Sequence, residues 1–286
     1  MSNVYKIFSP AKLNLGLQVI GRNQEGTHLL NTIFCKISLY DVINLDVTTN
    51  SKEIVPLNRW DNAWGYKSDL IYKAAKLLQD VSGCSYGVKF TIQKNIPVGA
   101  GLGGGSSDAA SVLQCLNVLW KLYYSREQLL QLACQLGDDV SSFLYSGATL
   151  YRNFQHTPIK IPNDYFLLII PKDSLNTKEI FDQVRFHRNI FSAPVSSNIL
   201  YLRQINDLLP YALKASKNLE VIIHKLHKIN VDVKMTGSGS VLYITFHTRE
   251  SAVNCAKNLA KILRGNYNFL KVVKRIDFST VICTDV

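Results

Sequence analysis

The chain has few of the features that would place it outside the ordinary folded globular proteins. Its six cysteines stand apart at 35, 84, 115, 134, 255 and 283, and no Cys-x-x-Cys pair occurs. In a chain this long that spacing excludes a disulfide framework and a cysteine-built zinc site, and points to reduced, mostly buried thiols. No apolar run reaches membrane-spanning length, and the N-terminus lacks a signal peptide's apolar centre, so a cytoplasmic location is expected. Only 19% of residues are charged while 47% are hydrophobic, without low-complexity tracts, which excludes a disordered chain. Zinc-finger spacing, RNA-binding aromatic motifs and a basic arm are also missing, so the net charge of +11 does not by itself imply nucleic-acid binding. The excess is uneven, with 18 Lys/Arg against 10 Asp/Glu over residues 157–286. Lysines dispersed over solvated faces explain it, and they suit a protein that attracts small phosphorylated molecules.

Glycine, by contrast, is concentrated. Residues 94–110 read Lys-Asn-Ile-Pro-Val-Gly-Ala-Gly-Leu-Gly-Gly-Gly-Ser-Ser-Asp-Ala-Ala, with glycines at 99, 101, 103, 104 and 105. Before them Val88-Lys89-Phe90-Thr91-Ile92 alternates as a half-buried strand does. After them Val112, Leu113, Leu116, Leu119 and Trp120 recur at helical spacing. The order predicts a strand, a proline-braced turn and a helix opening at Ser106-Ser107-Asp108. Such a turn brings main-chain N–H groups close to a ligand, and the helix N-terminus adds roughly half a positive charge, so the site favours an anion. Either Ser106 or Ser107 could cap the helix or bind a phosphate oxygen or its magnesium ion.

The loop fits neither common nucleotide fingerprint. The Walker pattern fails because no lysine follows the glycines. Gly99, Gly101 and Gly104 match the dinucleotide spacing, but no acidic residue ends a second strand about twenty residues on.

Its wording, Ile-Pro-Val-Gly-Ala-Gly-Leu-Gly-Gly-Gly-Ser-Ser-Asp-Ala-Ala, closely resembles the phosphate loop of the GHMP kinases, the superfamily of galactokinase, homoserine kinase and mevalonate kinase. The resemblance implies an α+β protein of two domains: an N-terminal nucleotide domain over residues 1–156 and a C-terminal, ferredoxin-like substrate domain over 157–286. It also implies ATP as co-substrate, with magnesium, and transfer of its γ-phosphoryl group to an alcohol. On the loop, Pro97, Val98, Gly99, Ala100, Gly101, Leu102, Gly103, Gly104, Gly105, Ser106 and Ser107 would hold ATP, with Ser107 the candidate metal ligand. The triple glycine before Ser-Ser-Asp-Ala-Ala looks most like the member acting on a cytidine-diphosphate sugar alcohol in isoprenoid precursor synthesis. Expected partners are therefore these two small molecules, with no nucleic acid or membrane, in a monomer or homodimer.

Other stretches carry the resemblance further. Val4 to Phe8 reads as one strand, followed by a bend at Ser9-Pro10 and a second strand through Ile20. Leu13, Leu15, Leu17 and Val19 then share one face, with Lys12, Asn14 and Gln18 on the other. Pro-Ala-Lys-Leu-Asn-Leu matches the family's first motif, which implies Lys12 near the phosphoryl acceptor and Asn14 near the substrate. Residues 33–39 and 41–47 read as two further strands, and 51–66 as an irregular surface excursion. Where the family has Gly-Tyr-His, this chain has Gly26-Thr27-His28. His28 would read the cytosine edge, while the stacking tyrosine is absent.

A helix from Asp69 and another from Ser125, with a capping-box-like Ser-x-x-Gln, end this half's helical pattern at Gly137. Asp138-Asp139 follows, an arrangement disfavoured after a helix C-terminus unless the acids have another use. The family's Gly-Ala-Asp-Val-Pro-Phe-Phe makes Asp139 the catalytic aspartate, with Asp138 replacing alanine and Ser141 proline. Residues 148–151 and Tyr165–Pro171 read as strands. Thr177-Lys178-Glu179-Ile180-Phe181 matches a family motif whose phenylalanine stacks on cytosine, which implies substrate roles for Thr177 and Phe181. A long helix is read over 211–228; its His224 and His227 lack a third ligand and read as a basic solvated face. Gly237, Ser238 and Gly239 form a glycine turn between strands, resembling the third motif, whose glycines pass close to the active site.

Overall fold

The computed structural model describes residues 4–58, 67, 69–184, 199–278 and 281–284. Of the excursion read over 51–66, residues 59–66 lie outside the described residues.

Two long strands form the backbone of the molecule. β1 (Val4–Arg22) and β2 (His28–Thr48) pair antiparallel along almost their whole length. The bend read at Ser9-Pro10 and the break before Asp41 do not divide these strands. Proline interrupts only the register, at Pro10/Ala11, with further shifts at Asn14/Leu17 and Val19/Gly21. Such irregularities re-aim side chains within a continuing strand. They also undo the expected two-faced pattern: Ser9 through Val19 is buried on both faces. Leu13 and Leu15 join one core cluster, while Leu17 and Val19 join another.

β3 (Ile54–Pro56) pairs parallel with β4 (Gly87–Gln93), and between them runs α1 (Leu70–Ser82). Asp69 caps that helix by accepting from Ile71 N at 2.7 Å, and Gly83 closes it in the left-handed conformation. α2 (Gly104–Leu119) is the central helix, with Ala109, Ala110, Val112, Leu113, Cys115 and Leu116 all buried. α3 (Arg126–Leu136) starts with the expected capping box between Ser125 and Gln128, and α4 (Asp138–Phe143) follows at once. β5 (Ala148–Arg152) and β6 (Gln155–Ile159) form a hairpin across residue 156.

The second half opens with β7 (Tyr165–Pro171) and α5 (Thr177–Asp182), the latter capped by Asn176. After α6 (Ile199–Leu202), the long helix read over 211–228 is in fact two, α7 (Leu209–Ala215) and α8 (Lys217–Lys228). The break falls at Ser216, whose extended backbone lets its side chain cap α8 through Leu219 N at 3.0 Å. β8 (Lys234–Met235), β9 (Leu242–Phe246), α9 (Arg249–Ile262), β10 (Tyr267–Ile276) and β11 (Val281–Thr284) complete the described chain.

These strands join in one sheet of order β11-β1-β2-β10-β7-β9-β8. The free edge of β2 is shared in sequence by β5 at Asn31–Phe34, β10 at Lys36–Ile37 and β4 at Val42–Thr48. One core packs α1 to α4 on β2 and β4, and another packs α5, α7, α8 and α9 on β7 and β9. The cleft lies where these two packed bodies meet.

Candidate active site

The glycine loop is anchored at its start. Asp41, fully buried, accepts from Asn95 N at 2.6 Å and Ile96 N at 2.8 Å. Lys94 Nζ bridges the carboxylates of Asp41 and, at 2.8 Å, Asp108. One positive charge thus serves two buried acids. Burial pushes the Asp108 carboxyl up to about 8 against the pull of Lys94.

The loop's end departs from expectation. α2 begins at Gly104 rather than at the serines, with Gly103 as its N-cap in the left-handed conformation (φ 71°) and no side-chain cap. Its first-turn N–H groups are therefore left for another acceptor. Gly103 is required twice over, because a Cβ there would stand 2.9 Å from Phe143 and 3.0 Å from Lys12. Ser106 lines the cleft. Ser107 does not: it is fully buried inside the helix packing, and its Oγ has no hydrogen-bond partner among the described residues. The metal-ligand role expected of Ser107 does not fit that placement, since α2 turns its second serine inward.

Facing the loop, Lys12 is 4% exposed on β1, its backbone N–H donating to Leu102 O at 3.0 Å. Its ammonium donates to Asn14 Oδ1 and stands 3.6 Å from Asp139 Oδ2. Asn14 is locked in turn: its Nδ2 donates to Thr32 Oγ1 at 3.1 Å, and its backbone N–H to Thr236 Oγ1 at 2.8 Å. The paired acids do not trail the helix α3. They occupy the first turn of α4, where the helix dipole favours negative charge. The extra carboxylate acts on Asp138 itself, whose carboxyl is pushed upward by burial and by the charge of Asp139.

The third glycine turn closes the far side. Gly237 and Ser238 line the cleft, and Ser238 Oγ lies 2.9 Å from Thr177 Oγ1. Gly239 does not line it; a Cβ there would meet Met235 and Leu175, so its place is in the packing behind the turn. At the outer end the rings of His28 and Phe181 touch, with centroids 4.9 Å apart and planes tilted by 46°. Arg22 Nε donates to His28 Nε2 at 3.1 Å. Burial, and next the Arg22 charge, hold the His28 imidazole below its usual pKa, opposed by Asp182. Thr27 sits in the turn, its N–H donating to Asn23 Oδ1 at 2.8 Å.

The loop, Lys12, Asn14, Asp139, the third glycine turn and the His28–Phe181 pair border one cleft of about 820 Å³. It gathers every residue expected at the site except Ser107 and Gly239. It also contains residues that motif reading passed over, among them Arg22, Lys94, Ser142, Tyr151, Lys178 and Asp182. Lys94 and Arg22 stood at the edges of recognised stretches. Ser142 and Tyr151 carried no signal, because what brings them in is the docking of α4 on the β5–β6 hairpin through Ser142 and His156. The arrangement offers an anion cradle, a carboxylate held by a buried ammonium, and an outer pocket bounded by an imidazole and a phenyl ring. These are the parts a phosphoryl transfer to an alcohol requires.

Comparison with known proteins agrees with that chemistry. Residues 69–147 match the family model of the GHMP kinases N terminal domain. The fold resembles homoserine kinase from Cytophaga hutchinsonii at TM-score 0.74 and 15% identity, covering 99% of this chain and 98% of that one. It resembles a crystal structure of 4-(cytidine 5'-diphospho)-2C-methyl-D-erythritol kinase at TM-score 0.74 and 29% identity, over 95% and 99% of the two chains. The molecule thus has the GHMP kinase fold. The 4-diphosphocytidyl-2-C-methyl-D-erythritol kinase of Ruthia magnifica is 34% identical over 258 residues, 88% of this chain and 90% of that protein. The enzyme of that name from Acidovorax sp. is 36% identical over 252 residues, 85% and 88% of the two. The chain belongs to the 4-diphosphocytidyl-2-C-methyl-D-erythritol kinase family.

Proposed function

We propose that this chain transfers the γ-phosphoryl group of ATP to the 2-hydroxyl of 4-diphosphocytidyl-2-C-methyl-D-erythritol, a step of non-mevalonate isoprenoid precursor synthesis. The observation that carries this reading is the Lys12–Asp139 pair, 3.6 Å apart, set between the glycine loop and the His28–Phe181 pocket. Asp139 accepts the proton of the acceptor hydroxyl, and Lys12 orients that carboxylate and offsets charge developing on the transferred group. Asn14 holds the Lys12 ammonium and reaches the substrate from the same strand. The loop from Pro97 to Ser106 takes the ATP phosphates on its N–H groups and on the N-terminus of α2. His28 reads the cytosine edge, Phe181 gives one stacking face, and Thr177, Gly237 and Ser238 contact the diphosphate and its alcohol.

Magnesium suits this donor set. The ion ordinarily keeps several waters and takes one or two protein oxygens besides substrate phosphates. Among the described residues no three His, Cys, Asp or Glu side chains converge on one point, so a protein cage is not what holds it. The Ser106 hydroxyl, which lines the cleft in the first turn of α2 beside the phosphate loop, would supply one such oxygen. When bound, the ion supplies charge neutralisation at the phosphates. The domain division follows the chemistry: residues 1–156 supply the ATP site, and 157–286 supply Thr177, Phe181 and the third glycine turn.

A coupled assay with ATP, magnesium and a panel of alcohols tests the function. Turnover of the cytidylated erythritol, with none of homoserine or mevalonate, is expected. Preference for an uncytidylated alcohol would place the chain with another GHMP activity, which the absence of the tyrosine at Thr27 makes the natural rival.

A further inference from the structure

The helix that carries Asp139 is too short to fix its own rotation. α4 spans six residues, under two turns, starts from a glycine and has no side-chain N-cap. Val140 and Phe143 pack inward, Phe143 meeting Phe34 edge-on with centroids 5.1 Å apart. Ser142 lies three residues beyond Asp139, on the same side of the helix. It is 3% exposed, and its Oγ stands 3.1 Å from Nε2 of His156 on β6. The second ring nitrogen, Nδ1, is 2.9 Å from Oγ1 of Thr149, which is fully buried on β5. Two tyrosine rings also pack against the imidazole, Tyr145 stacked at 4.4 Å and 26° and Tyr151 tilted at 4.8 Å and 50°.

The far end of this chain of contacts reaches the other catalytic residue. Thr149 pairs in register with Phe34 of β2, and Phe34 pairs with Asn14 of β1, the residue that holds the Lys12 ammonium. The Lys12–Asp139 distance is therefore the gap between two bodies, α4 and the sheet, and His156 spans the same two bodies from behind. We propose that the buried chain Ser142–His156–Thr149 is a positioning device that sets the rotation of α4 and so holds the Asp139 carboxylate at its working distance from Lys12. His156 is a positioning residue, and its part rests on the reading of Asp139 as proton acceptor. The imidazole suits the task because it stays neutral. Burial brings its pKa down to about 4, with Arg126 and Lys36 acting in the same direction and Asp139 opposing. A neutral ring donates from one nitrogen and accepts at the other, which a pair of hydroxyls can satisfy in either tautomer.

The test compares His156→Phe, His156→Gln, Ser142→Ala, the Phe/Ala double variant and Asp139→Asn by steady-state kinetics, with melting temperatures measured alongside. His156→Phe keeps the aromatic stack and loses both hydrogen bonds. Its kcat is expected to fall about tenfold, short of the ~100-fold that a full ångström of misplacement costs. Both KM values should stay within about twofold, the signature of an interaction that acts in the transition state. Ser142→Ala should do the same, and the double variant no more than either, since one chain is cut twice. His156→Gln, which can donate and accept, should recover most of the loss. Should His156→Phe fail to fold, Ser142→Ala and His156→Gln decide alone. Wild-type kcat in His156→Phe and Ser142→Ala overturns the inference, as do losses spread equally over kcat and both KM values. If Asp139→Asn is itself near wild type, the base assignment falls and the inference with it. Inactive Asp139→Asn beside a normal His156→Phe removes the positioning role alone.

Discussion

At the scale of single residues, the site depends on one buried ammonium. Lys12 has a neutral amide on one side and a half-exposed carboxylate on the other, so its charge has Asp139 as its one ionic partner among the described pairs. Removing either member should affect chemistry more than binding. Asp139→Asn and Lys12→Ala are each expected to lower kcat about a hundredfold or more, the usual scale for an acid–base or electrostatic partner. Near wild-type kcat in folded Asp139→Asn would refute the proton-acceptor role. The outer pocket makes a second prediction. With threonine at 27, the base would have Phe181 as its aromatic face, and base–aromatic stacking is worth about 1–3 kcal/mol per base. Thr27→Tyr should tighten binding of the cytidylated substrate by that amount or less, and Phe181→Ala should weaken it, with ATP affinity unchanged in both. Titration calorimetry with each ligand checks this; weaker substrate binding in Thr27→Tyr together with no effect of Phe181→Ala would relocate the cytidine pocket.

The elements explain why some of those residues are placed so firmly. The loop that precedes α2 serves two purposes that substitution can separate. Gly103 combines a positive φ with the close approach of Phe143 and Lys12, so Gly103→Ala strains the fold and pushes on Lys12. Gly105 lies in the first turn of α2, where an added Cβ makes only an ordinary contact with Leu70 at 3.5 Å. Gly105→Val is therefore expected to leave the melting temperature close to that of the wild type and to weaken ATP binding, leaving the cytidylated ligand unaffected. Gly103→Ala should lower the melting temperature and impair kcat and ATP binding together. Differential scanning calorimetry with two-ligand titrations separates these outcomes, and wild-type ATP affinity in folded Gly105→Val would mean that the loop is not where ATP binds. α4 teaches a related lesson. A pair of acids read as trailing one helix heads the next, because Gly137 lets the chain turn between them without a connecting loop.

For the molecule as a whole, the question is whether the two halves are independent. They share strands: β10 pairs with β7 through Tyr267–Lys274 and with β2 at Arg275 and Ile276, while β11 returns to β1. Such a continuous sheet couples the two cores. Heat unfolding is therefore expected as one transition, with coincident midpoints for far-ultraviolet and tryptophan signals. Two well-separated transitions would show that residues 1–156 and 157–286 melt as separate units. A ligand at either end of the cleft should raise that single midpoint, since both ends belong to one cooperative body.

What the sequence determined by itself was local and chemical. Alternation marked β4, a continuous apolar run marked β7, caps marked α1 and α3, and the density of glycine before an apolar helical period marked the anion site at α2. Each of these is decided by residues within one turn or one strand of each other. Lys12, Asp139, His28 and Phe181 were legible through motif wording, as positions on a line. Tertiary structure alone decided the rest. The strands read as separate pieces run on through Pro10 and Tyr40, because pairing along β1 and β2 outweighs a local proline. Ser107 and Gly239 face the packing rather than the cleft, because the start of α2 and the contacts of Met235 and Leu175 set their direction. Ser142, Thr149 and His156, separated by 7 and 14 positions, become neighbours only when α4 docks on the β5–β6 hairpin. No periodicity records that docking, since it is fixed by surfaces that meet after each element has formed.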